Sequence, residues 1–85
     1  MQTMQEAVRQ RITALMNEHN YSISELARRA DLTQSTVNDI VKGKVKNPSM
    51  QAIFQIAKAF NLSISQFTAN EVFDEIENQP MKSNR

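Results

Sequence analysis

Apolar positions recur along this chain in short helical stretches, each opened by a hydroxyl residue. Val8, Ile12, Leu15 and Met16 stand at i, i+4, i+7 and i+8, one face of a helix running from about Met4 to about Glu18. Thr3 and Glu6 have the spacing of a capping box in front of it, and Asn20 suits a left-handed stop behind it. Arg9 and Arg11 fall off the apolar stripe and read as a solvated face.

The stretch from Ser22 to Gly43, SISELARRADLTQSTVNDIVKG, holds two such runs joined by a link too short to let them lie antiparallel. Ser22 with Glu25 forms an S-x-x-E start, Tyr21 and Leu26 form a staple, and Leu26, Ala27 and Ala30 share a face. The second run opens on Thr33, buries Val37, Ile40 and Val41, and stops at Gly43. Its other face carries Gln34, Ser35, Asn38 and Asp39, short polar residues for which a core has no use. Two helices in this relation form a helix-turn-helix, whose second member can enter the major groove of DNA. Amides and hydroxyls suit base edges, since Gln and Asn can bond adenine bidentately.

Downstream, Pro48 interrupts the Lys44 to Asn47 link, and Ser49 caps a helix from Met50 to about Phe60 with Ile53, Ile56, Ala57 and Phe60 inward. Phe54 falls beside that stripe, partly exposed, and Asn61 is a stop. Ser63 and Gln66 open a short fifth helix that inserts Ile64 and Phe67. Asn70 can cap a last segment with Val72, Phe73 and Ile76 on one side; it either folds back over the core or forms a dimer contact. From Gln79 the sequence QPMKSNR reads as a frayed tail. The expected organisation is one helix-turn-helix domain over residues 1–69 and an extension over 70–85, all-α.

The order SELARRADLTQSTVNDIVKGK, Pro48, IFQIAKAFNLSISQF resembles the Cro and phage-repressor family, also called XRE-type, over roughly Ile12 to Phe67. The resemblance implies a lambda-repressor-like bundle of five helices. It also implies DNA contacts by Ser22 and Ser24 on phosphate, by Thr33 and Gln34 at the start of the recognition helix, and by Gln34, Ser35, Asn38 and Asp39 on bases. Lys42, Lys44 and Lys46 follow that helix and are expected on phosphate. Two departures stand out. Asp31 occupies a turn position where the family usually has Gly, and Met16 and Val41 replace an Arg–Glu ion pair with two apolar residues, which are expected to touch.

Composition changes this picture little. Eighty-five residues allow one small domain, and a single Gly and two Pro favour helices. The formal charge of +1 is weak for a nucleic-acid binder, but residues 1–50 carry seven Lys or Arg against five Asp or Glu, and residues 51–85 carry three against four. With no Cys and one His, neither disulfides nor a metal site is expected, and no cofactor. No nucleophile and base set or Gly-rich phosphate loop suggests an enzyme. No signal core or membrane-spanning run is present, so the cytoplasm is the expected location. The expected function is sequence-specific transcriptional regulation, as a repressor, by a homodimer on a palindromic operator. The alternative is an antitoxin or other protein-interaction module that binds a protein partner through its C-terminal segment and whose DNA binding is autoregulatory.

Overall fold

Each of the five α-helices opens on a serine or threonine whose hydroxyl accepts the backbone N–H three residues on. The computed structural model describes residues 3–45 and 47–75. It has α1 (Met4–His19), α2 (Ile23–Ala30), α3 (Gln34–Val41), α4 (Met50–Ala59), α5 (Ile64–Thr68) and a 3-10 helix (Glu71–Glu75). Thr3, Ser22, Thr33, Ser49 and Ser63 are the five caps. Each is worth about 1 kcal/mol to its helix. Capping at α1 and α5 is reciprocal, with Glu6 and Gln66 bonding back to the cap N–H. At α2 only half of the expected box forms: Ser22 accepts from Glu25, but the Glu25 carboxylate turns away to Arg28 and Arg29.

Four of these helices also end alike. A left-handed residue, Asn20, Asp31, Gly43 or Asn61, sits at φ 60°, 59°, 79° or 63°. The N–H of the residue after it reaches five residues back: Tyr21 to Met16, Leu32 to Ala27, Lys44 to Asp39 and Leu62 to Ala57, at 2.8–3.0 Å. These closures satisfy carbonyls that a helix end would otherwise leave open. In three of them that residue is apolar, and Tyr21, Leu32 and Leu62 pack against the core. At the end of α3 it is Lys44, which is exposed.

The largest fully buried side chains are Ile12, Leu26, Val37, Ile56 and Phe67, one from each helix. Burying each stabilises the fold by roughly 1.5–3 kcal/mol before the ordering cost is counted. Around them α2 packs on α3 and α4, α1 on α3 and the 3-10 helix, and α4 on α5. Met16 and Val41 are both half-buried and pack against this cluster. Phe73 folds back, its ring centroid 6.1 Å from that of Phe67. At the α1–α2 corner Tyr21 stacks on Phe60 at 5.5 Å, and Arg29 lies 4.8 Å over the Tyr21 ring. Among the described residues no charged or polar residue is buried, and no helix is long and apolar enough to cross a membrane.

Arg11 departs from its expected solvated role. Its Nε donates to the Phe67 carbonyl at 2.7 Å and a terminal nitrogen donates to the Gln66 carbonyl at 3.1 Å, closing the C-terminal end of α5. A guanidinium suits this, since its fork can meet two carbonyls at once.

Candidate nucleic-acid interface

The turn between α2 and α3 spans only Asp31 to Thr33, so its geometry sets the direction of α3. Asp31 takes the left-handed conformation that the family's Gly would adopt freely. From α4, Gln55 Nε2 donates to the carbonyls of Ala30 and Asp31 at 2.8 and 3.2 Å, and its Oε1 accepts from Gln51 at 2.9 Å. Val37 and Ile40 then bury one side of α3 in the core.

Its opposite side is left clear. Gln34 and Ser35 are exposed, and Asn38 and Asp39 are half-buried. Among the described residues none of these four side chains makes an internal hydrogen bond or ion pair. Gln34, Ser35 and Asn38 line a shallow hollow together with Ile23, the first residue of α2. The N-terminal end of α2, with exposed Ser22 and Ser24, therefore stands beside the N-terminal half of α3. Both helix starts carry partial positive charge and free N–H groups, which favour an anion.

The hydroxyls differ in their availability. Thr33 Oγ1 accepts from the Thr36 N–H at 3.1 Å and donates to Thr36 Oγ1 at 2.8 Å, so its side chain is committed within the helix. The Ser22 oxygen accepts from Glu25 and keeps its own proton to donate. Beyond α3, Lys42 and Lys44 are exposed; Lys46 lies outside the described residues. Val72 and Phe73 are half-buried, while Ile76 and the tail from Gln79 also lie outside them.

Three supporting residues escaped sequence reasoning. Besides Gln55, Gln5 donates from Nε2 to the Gly43 carbonyl at 2.9 Å, which holds the end of α3 to α1. Arg9 lies at the same corner: a Cβ built on Gly43 would stand 2.6 Å from one of its terminal nitrogens. No periodic signal marks these residues, because each polar side chain reaches a segment distant in sequence, Gln5 and Gln55 by bonds to its main chain.

A family model described as helix-turn-helix matches residues 12–67. Among solved structures, the crystal structure of the prophage Lp1 protein 11 is similar, with a TM-score of 0.74 and 29% sequence identity over 89% of this chain and 100% of that one. The search of curated proteins finds no match.

Proposed function

Because the chain belongs to the helix-turn-helix family of Cro and phage-repressor (XRE) type, a family of DNA-binding regulators, we propose that it represses transcription by binding a palindromic operator as a homodimer. The observation that carries this reading is the face of α3. Gln34, Ser35, Asn38 and Asp39 are held outward by a buried Val37 and Ile40, with no internal partner, beside the start of α2. In that reading Gln34 and Asn38 bond base edges in the major groove, and Ser35 donates or accepts. Asp39 accepts from a cytosine amino group or excludes wrong sequences. Ser22, Ser24 and the backbone at Thr33 and Gln34 meet phosphate on one side, with Lys42, Lys44 and Lys46 on the other. A two-fold axis sets two recognition helices about 34 Å apart, one helical turn of DNA. Val72, Phe73 and Ile76 are the proposed dimer contact. The reaction class is binding alone, and the cytoplasm is its place.

Selection of DNA from a random pool on the purified protein tests this. Retention of an inverted repeat with half-sites one helical turn apart is expected, and an unenriched pool sinks the operator.

One observation favours the second reading, an antitoxin or other interaction module with autoregulatory DNA binding. An apolar groove of about 390 Å³ runs between Met4, Val8, Met50, Phe67 and Phe73, with Met50 70% exposed on its lining. Under that reading a protein partner covers it. The molar mass by light scattering of the protein purified from its native cells separates a self-associated dimer from a hetero-complex.

A further inference from the structure

Among the described residues the arginines fall into two groups. Arg11 is bonded to the carbonyls of Gln66 and Phe67, and Arg28 and Arg29 share the Glu25 carboxylate. Arg9 has no ion pair and no side-chain hydrogen bond with any of them. It is nevertheless half-buried and placed. One terminal nitrogen lies 2.6 Å, and its Cζ 3.5 Å, from where a Cβ on Gly43 would be. Gln5, one turn earlier on α1, pins the same residue through its carbonyl. Gly43 is favoured by its φ of 79°, and its bare Cα leaves the guanidinium room to lie against it.

The corner where Arg9 sits is the C-terminal end of the recognition helix. The N–H groups of Lys42, Gly43 and Lys44 are all bonded to carbonyls of α3. Any anion held here must therefore be held by side chains. Lys44 occupies the place that the three matching helix closures give to an apolar anchor, and it is exposed. Two cations from segments far apart in the chain are thus placed at this corner, Arg9 beside Gly43 and Lys44 next to Gly43 in sequence, and no carboxylate among the described residues pairs with either. Asp39, the acidic residue of α3, forms no ion pair with Arg9.

We propose that Arg9 and Lys44 together bind a phosphate of the DNA backbone flanking the bases read by α3. The inference rests on the DNA-binding reading above and deepens it by adding α1 to the contact surface. A guanidinium fork can meet two phosphate oxygens, and Lys44 contributes a mobile charge beside it. The contact carries no base preference, so it adds affinity and fixes orientation.

The test is the salt dependence of binding to a labelled mixed-sequence duplex of about 30 base pairs, for the natural protein, Arg9→Gln, Arg9→Lys and Lys44→Gln. Unchanged thermal midpoints show that the variants are folded. Arg9→Gln is expected to reduce the slope of log K against log salt by about 0.9, equivalent to about 3.5-fold less tightening between roughly 200 and 50 mM. Arg9→Lys retains most of the slope. If Arg9→Gln keeps the natural slope while Lys44→Gln lowers it, Arg9 is no phosphate ligand and the DNA-binding reading stands. If the natural protein shows no salt-dependent binding, both fall.

Discussion

Gln55 on α4 and Ala30 at the end of α2 are joined by a 2.8 Å hydrogen bond that closes the helix-turn-helix from behind. The same amide reaches the Asp31 carbonyl, so one side chain satisfies both acceptors at the tightest bend in the chain. The exit direction of α3 depends on a residue remote from it in sequence.

Replacing Gln55 by Leu leaves those carbonyls without a donor and is expected to destabilise the fold by about 1–3 kcal/mol. Gln55→Glu removes the donor and adds charge, and is expected to cost at least as much. Urea denaturation at neutral pH measures both. Equal stability of all three proteins would mean that water replaces the amide without cost.

Asp31→Gly relieves a left-handed residue of its Cβ, and a gain of about 1 kcal/mol is expected, or about 4–8 °C in Tm for a domain of this size. Gly also adds freedom to the unfolded chain, which limits the gain. A lower melting temperature for the variant would show that the Asp31 side chain contributes something its geometry does not reveal.

Met16 and Val41 are half-buried on neighbouring helices. Met16→Arg alone is expected to cost about 1–2 kcal/mol, less than for a fully buried charge because solvent reaches the site. Adding Val41→Glu is expected to recover most of this, and a double-mutant cycle on thermal stability measures the coupling. A coupling of zero would mean that the two positions do not meet.

Base and phosphate contacts are expected to separate cleanly. Gln34→Ala and Asn38→Ala should each lose about 1–3 kcal/mol of preference for the selected operator with the salt slope unchanged. Lys42→Gln should weaken all sequences alike. Titrations on matched and mismatched duplexes at two salt concentrations distinguish the patterns.

Acid exposes a smaller dependence. Glu25 is held below its ordinary value by the Arg28 guanidinium, 2.6 Å away, and by Arg29. A carboxyl whose pKa is lower when folded supports the fold above its unfolded pKa, and that support is lost as pH falls through the folded value. The acid limb of the stability curve should therefore be slightly flatter in Glu25→Gln, with no change near neutrality beyond the lost ion pairs. A steeper limb would contradict the assignment.

Much of this arrangement was legible in the chain because helix boundaries are local. The hydroxyl caps, the left-handed stops at Asn20, Gly43 and Asn61, and the inward Val37 and Ile40 follow from residue type and spacing. Small core residues were less visible. Ala7, Ala52 and Ala59 are buried, but alanine is equally at home on a helix surface, so periodicity does not assign it. Val45 packs against the core from a link without apolar periodicity. The least legible features were Gln5, Arg11 and Gln55, polar side chains that close distant main-chain ends. Such bonds depend on where the bundle brings two segments, which a pattern along one helix does not contain.

The outward side chains of α3 make no polar contact with the rest of the described molecule. Since the side chains of Gln34, Ser35, Asn38 and Asp39 make no hydrogen bond or ion pair within the described residues, exchanging them leaves the caps and the main-chain closures in place. Under the proposed DNA-binding reading, folding and target choice therefore rest on separate sets of positions. Under that reading, single substitutions at those four sites can change the target while the contacts of Gln5, Gln55 and Gly43 that aim the helix stay in place.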